Sequence, residues 1–193
     1  MPTGQKMVLK RLVWEYKDII QNPIDGICAG PVNDDDLFTW EAWIRGPEDS
    51  PYAHGCFRCE LKFPSDFPIR PPTMKFTSKL WHPNVYADGN VCISILHYGE
   101  DPTGYEQRCE RWSPILSVSK ILISVVSMLA APNNESPANL DAARQRRNDP
   151  KAFEARVEQD VLASLGLTLQ DVHTAIESGS PDIPIDPETK KDL

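Results

Sequence analysis

Apolar positions change their spacing along the chain, and each change marks an element. Leu9, Leu12, Val13, Tyr16, Ile19 and Ile20 recur at helical spacing. They predict an amphipathic helix from about Lys6 to Gln21, stopped by Pro23 and Gly26. Three short segments with strand character follow, the first around Cys28. In the second, Phe38, Trp40, Ala42 and Ile44 alternate with Thr39, Glu41, Trp43 and Arg45; in the third, Phe57, Cys59, Leu61 and Phe63 alternate with Arg58, Glu60 and Lys62. This period of two predicts strands buried on one face, and turn residues from Gly46-Pro47 through Gly55 join them as a meander. Pro64, Pro68, Pro71 and Pro72 predict a rigid extended loop, because proline fixes φ and removes a backbone donor. Thr73 to Phe76 reads as one more short strand.

Trp81 to Ser113 has no sustained period, and irregular stretches of that length inside a domain are usually functional or disordered. Val118, Ile121, Leu122, Val125, Val126, Met128 and Leu129 then predict a helix apolar on most sides, a central buried one, ended by Pro132. Two more helices are predicted, from about Ala138 to Arg147 and from Pro150 to Leu165, with Gly166 as a stop signal. The order of elements gives an α+β fold: an N-terminal helix, a four-stranded antiparallel meander, a long irregular region and three helices. Residues 1–167 read as one domain. Residues 168–193 read as an acidic tail, mostly disordered, with a helical start at Leu169 to Ile176.

Charge narrows the function classes. The 193-residue chain carries a formal net charge of -8. That argues against nucleic-acid binding, which needs a basic stripe to neutralise phosphates. Its longest strongly apolar stretch, Ile121 to Ala131, is far short of the ~20 residues needed to span a bilayer, so no direct membrane insertion is expected. No secretion signal is visible, and a cytoplasmic location is expected. The cysteine count of five is odd and the spacing irregular, which disfavours a disulfide framework. Cys56 and Cys59 form a CxxC. Positions i and i+3 of a strand point to opposite faces, and no second ligand pair exists, so no metal site is expected.

Cys92 stands apart. It lies in the stretch His82-Pro83-Asn84-Val85-Tyr86-Ala87-Asp88-Gly89-Asn90-Val91-Cys92-Ile93-Ser94-Ile95-Leu96, a thiol in irregular chain beside turn residues and an apolar anchor. Such loops on a rigid scaffold often carry catalytic groups, although an incidental cysteine fits the same pattern. A hydrolase would need a histidine base beside the thiol. His82 and His97 are near enough in sequence, but His82 sits between Trp81 and Pro83, which suits a structural turn, and no histidine–acid pair is apparent.

The same stretch resembles the active-site signature of ubiquitin-conjugating enzymes: H-P-N, a short turn with Gly, then Cys and an Ile-Leu anchor. Phe63-Pro64 through Pro71-Pro72 is similar to that family's proline-rich loop. Trp112-Ser113-Pro114 is similar to its second ligase-contacting loop, and Pro132-Asn133 with Pro137-Ala138-Asn139 to the loop flanking its active site. The match runs from about Lys6 to Leu167, with the pieces in the family's order. His97 to Arg111, carrying Glu100, Asp101, Glu106 and Glu110, resembles the acidic insertion of the subclass that builds degradative chains. Ala29-Gly30-Pro31, Gly46-Pro47-Glu48-Asp49, Gly104-Tyr105-Glu106 and Ser164-Leu165-Gly166-Leu167 look most like the branch serving endoplasmic-reticulum-associated degradation.

The resemblance implies that Cys92 takes the ubiquitin C-terminus as a thioester from the activating enzyme and passes it to a lysine. A thioester is already activated, so this transfer does not demand a triad base. No bound cofactor is expected, because ATP is consumed by the activating enzyme. Asn84 would donate to the oxyanion of the tetrahedral intermediate or hold the loop by bonding backbone, and both readings stay open. His82 is assigned to loop architecture. Ser136 stands where many family members carry an aspartate. His97, Glu100 and Asp101 would orient or deprotonate the acceptor lysine, or form a solvated acidic loop. A RING-type ligase would use Pro68, Ile69, Ser113, Pro114 and Ile115 with Lys10, Arg11 and Trp14. Any recruitment to the endoplasmic reticulum surface would depend on a membrane-anchored partner.

Overall fold

Alternation along the strands decides which way the sheet faces. The computed structural model describes residues 3–172. Its strands β1 (Ile27–Asn33), β2 (Asp36–Arg45), β3 (Cys56–Lys62) and β4 (Thr73–Phe76) form one antiparallel sheet in the order β1-β2-β3-β4. Trp40 lies opposite Leu61, Ala42 opposite Cys59 and Ile44 opposite Phe57, while Leu61 and Cys59 face Met74 and Phe76 on the next strand. All of these are buried. A slip of one residue would turn the whole set to solvent, so the register is strongly specified. Cys59 is in this core and Cys56 is on the opposite face, as strand parity requires. At the hairpin between β2 and β3, a Cβ on Gly46 would lie 1.7 Å from the Tyr52 carbonyl oxygen, so only glycine fits.

The helices cover the apolar face. α1 (Thr3–Gln21) lies against β1 and β2, and α4 (Pro150–Ser164) against β3. α2 (Val118–Ala130) buries Val118, Ile121, Leu122, Val125, Met128 and Leu129. α3 (Leu140–Asn148) starts two residues later than its sequence pattern suggests, because the Asn139 side chain caps it by accepting from Ala142 N. Asp149 caps α4 in the same way, with Pro150 at its first position.

α1 corrects one expectation. Its buried stripe is Val8, Leu12, Glu15 and Ile19, whereas Val13 and Ile20 stay exposed. Glu15 is inside because its carboxylate accepts from Val118 N at the start of α2 (2.9 Å) and from Arg11 Nε (2.7 Å). Tyr16 packs edge-on against Trp40 with ring centroids 5.9 Å apart.

Between Trp81 and Ser113 there is only a 3₁₀ turn at Ser94–Leu96 and isolated bridges. Residues 169–172 form a helical turn, and Thr168 and Asp171 bond each other's backbone N–H. The rest of the expectation for the 168–193 tail lies outside the described residues.

Candidate active site

The chain entering the site is anchored from below. Trp81 N donates to Asp160 on α4 (2.6 Å), its indole donates to Gln145 on α3 (2.7 Å), and Tyr52 Oη donates to its carbonyl (2.8 Å). His82 follows, fully buried. Its Nδ1 accepts from Asn84 N at 2.9 Å, so Nε2 carries the proton and donates to Met128 O at 3.1 Å. Burial holds this imidazole neutral, its pKa lowered to about 4.

Asn84 is the next buried polar group. Its Nδ2 donates to Asn133 O and its Oδ1 accepts from Asn133 N, both at 2.8 Å. Asn84 O also accepts from Cys92 N (3.0 Å). One residue thus ties the Cys92 backbone to the loop after α2. The second N–H of its amide group remains for a transient acceptor. Between Asn84 and Cys92 the chain reverses through a turn in which Gly89 has φ +91°, and a Cβ there would lie 2.3 Å from Phe76 O.

Cys92 is half-buried at the head of a cleft of about 290 Å³ that Ser136, Asn133, Tyr105, Glu106, Ser124 and Ser127 help to line. His97 Nε2 lies 3.7 Å from Cys92 Sγ. His97 Nδ1 donates to both Glu106 oxygens, at 2.8 and 3.0 Å. Ser94 Oγ also donates to Glu106 (3.0 Å), and Arg111 pairs with it. The expectation that no histidine–acid pair is present is therefore overturned: Cys92, His97 and Glu106 form a hydrogen-bonded line. His97 and Glu106 lie nine residues apart in irregular chain, where no local periodicity brings side chains together.

Each group shifts the others. The hydrogen bond with Cys92, and then Glu106, raise the His97 pKa to about 9. The His97 hydrogen bond in turn pulls the Cys92 thiol below its ordinary range against the opposing effect of burial, with help from the Tyr86 hydroxyl. Burial pushes the Glu106 carboxyl up, but its bonds to His97 and Ser94 and the charges of His97 and Arg111 bring it below the usual range. The pairing favours a thiolate beside an imidazolium, the state that makes a cysteine nucleophilic.

Residues 11–161 match the family described as Ubiquitin-conjugating enzyme. The chain belongs to that family. It is 56% identical over 160 residues to Ubiquitin-conjugating enzyme E2 G2 of Homo sapiens, covering 82% of this chain and 97% of the relative. To Ubiquitin-conjugating enzyme E2-18 kDa of Schizosaccharomyces pombe it is 53% identical over 165 residues, covering 85% and 99%. To Ubiquitin-conjugating enzyme E2 14 of Arabidopsis thaliana it is 47% identical over 151 residues, covering 78% and 90%. The chain is thus a ubiquitin-conjugating enzyme, and membership implies ubiquitin, an activating enzyme and a ligase as partners.

In this conjugating enzyme, the residues singled out in the sequence divide into three groups. Asn84, Cys92, His97 and Ser136 line one cleft. Glu100 and Asp101 do not line it. Glu100 is exposed on the far side of the insertion, beside Arg108 and Ile115. The Asp101 carboxylate accepts from Thr103 N, Thr103 Oγ1 and Glu106 N, which closes the insertion on itself and holds the carboxyl well below the usual range. Glu106 and Tyr86 are the site residues that sequence reasoning missed.

Among the residues expected to meet a ligase, Ile69 (55% exposed), Ile115 (88%) and Trp14 (54%) present apolar surface, and Lys10 is also exposed. Pro68 and Ser113 are half-buried and Pro114 is exposed. Arg11 differs: its guanidinium donates to the carbonyls of Pro114 (3.0 Å) and Leu116 (2.8 Å), so it supports that loop from beneath. No helix among the described residues is long and apolar enough to cross a membrane.

Proposed function

We propose that Cys92 accepts the ubiquitin C-terminus as a thioester and passes it to substrate or ubiquitin lysines, building degradative polyubiquitin chains. A RING-type ligase docks on Pro68, Ile69, Ser113, Pro114 and Ile115 with Trp14 and Lys10, where exposed apolar side chains on stiff loops suit a small, transient interface. ATP is consumed by the activating enzyme, and this chain binds no cofactor. Recruitment to the endoplasmic reticulum surface comes through a membrane-anchored partner. The observation that carries the reading is the half-buried Cys92 thiol paired with His97 at 3.7 Å in the cleft whose rim Asn84 ties to Asn133.

The chain, activating enzyme, ATP and ubiquitin are incubated and run on a non-reducing gel. A thiol-sensitive adduct should form on the wild type and vanish in Cys92→Ala; no wild-type adduct would sink the proposal. Asn84 acts mainly as the loop holder, since both ends of its amide are already engaged. Asn84→Ala should therefore load poorly as well as discharge slowly. Normal loading with discharge slowed ~10²-fold would instead favour the oxyanion role.

A second reading comes from the Cys92–His97–Glu106 line, an arrangement that also suits a cysteine hydrolase. Turnover of a fluorogenic ubiquitin C-terminal amide without activating enzyme would support hydrolysis.

A further inference from the structure

The cleft around Cys92 contains one ring nitrogen aimed at the sulfur. Both oxygens of Glu106 hold His97 Nδ1, so the imidazole is fixed and Nε2 faces Sγ at 3.7 Å. Glu106 is itself fixed by Ser94 Oγ, by Arg111 and by its own N–H, which donates to Asp101 (2.8 Å). Among the lining residues the titratable ones are Cys92, His97, Tyr105 and Glu106. α2 contributes Ser124 and Ser127, and the loop after it contributes Asn133 and Ser136, all uncharged. Glu135 on that loop is engaged by the Tyr105 hydroxyl at 2.9 Å. Outside the lining, the Tyr86 hydroxyl also helps to lower the Cys92 thiol.

We propose that His97 is the proton acceptor for the incoming lysine amine and that Glu106 is its positioning residue. The inference rests on the thioester reading of Cys92. In the resting enzyme the Cys92 sulfur and His97 Nε2 face each other at 3.7 Å, a pairing that favours thiolate and imidazolium. On loading, the thiolate adds to the ubiquitin thioester on the activating enzyme; a C–S bond to Cys92 forms and the C–S bond to the activating enzyme's thiol breaks. The departing thiolate, or water, takes the His97 proton. Acylation removes the hydrogen-bond partner that did most to keep that proton on the ring, so neutral imidazole is left beside the thioester with Glu106 sustaining its basicity. The lysine nitrogen then bonds to the carbonyl carbon and its proton passes to Nε2. The C–S bond breaks and Cys92 leaves as a thiolate, paired again with protonated His97. Amine, thioester and imidazole become isopeptide, thiolate and imidazolium, and nothing else is consumed.

The test is single-turnover discharge of purified full-chain ubiquitin thioesters to free lysine between about pH 6 and 10, across the imidazole and amine ionisations. The ratio of wild-type to His97→Gln rate should rise with pH as the imidazole loses its proton, then level off at roughly 10²-fold. Both proteins share the amine's own ionisation, so it cancels in the ratio. Glu106→Gln should lower that plateau and move the inflection to lower pH, because the imidazole loses its carboxylate; Glu106→Asp should recover part of both. A ratio flat across pH, or an inflection unmoved in Glu106→Gln, would overturn the inference. Thioester formation is scored separately. If the wild type forms none, the conjugating reading falls; if it forms and the ratio is flat, only the role of His97 falls.

Discussion

His82 and His97 lie in the same irregular stretch and carry opposite charge states, because their surroundings differ. His82 is fully buried and bonded to backbone at both ring nitrogens, and burial drives its pKa to about 4. His97 bonds the Cys92 sulfur on one side and the Glu106 carboxylate on the other, which raise its pKa to about 9. The sign for stability follows. A histidine depressed from about 6.5 contributes stability that is present above that value and lost as pH falls towards 4. For His82 the loss between pH 7 and pH 4.5 should be about 2–3 kcal/mol. Urea unfolding at the two pH values checks it: His82→Gln should remove that part of the acid sensitivity. A variant that weakens with acid as steeply as the wild type would contradict the assignment.

At the scale of elements, α1 and α2 are joined by a buried charge. Glu15 supplies the acceptor for Val118 N, one of the N-terminal donors that a helix cannot satisfy internally. Its partner Arg11 reaches on to the carbonyls of Pro114 and Leu116. Glu15→Ala should cost about 2–4 kcal/mol, because it orphans a buried donor and leaves Arg11 without its counter-ion. Thermal unfolding measures the cost, and a change near zero would mean that the pair only breaks even with its desolvation. The meander was legible from alternation alone, since Trp40, Ala42, Ile44, Phe57, Cys59 and Leu61 are all buried. The inward face of α1 was not, since periodicity counts apolar residues and a buried glutamate is invisible to it.

Across the whole molecule, the acidic insertion links the proline-rich loop and the loop around Pro114 to the cleft that holds Cys92. Trp112 N donates to His97 O (3.0 Å), and its indole donates to Pro68 O (2.8 Å) in the proline-rich loop. Arg111 donates to the carbonyls of Gly99 (2.8 Å) and Tyr98 (3.1 Å) while pairing with Glu106. Arg111→Ala should therefore loosen residues 98–110 as a unit. Hydrogen exchange should show faster amides there and unchanged protection in α2. Unchanged exchange in the insertion would mean that its other hydrogen bonds suffice.

The local sequence by itself determined the elements and pointed to the thiol. Strand alternation, helix periods and proline stops are short-range properties, and the stretch from His82 to Leu96 carries its signature in consecutive residues. Only the tertiary structure decided what surrounds that thiol. The Glu106 carboxylate reaches His97 because Arg111, Ser94 and Asp101 fold the insertion back on the cleft, and the Asn84 amide is engaged because the loop after α2 passes beside it. These contacts join residues with no periodic relation, so their energies exist only once the chain has closed around them.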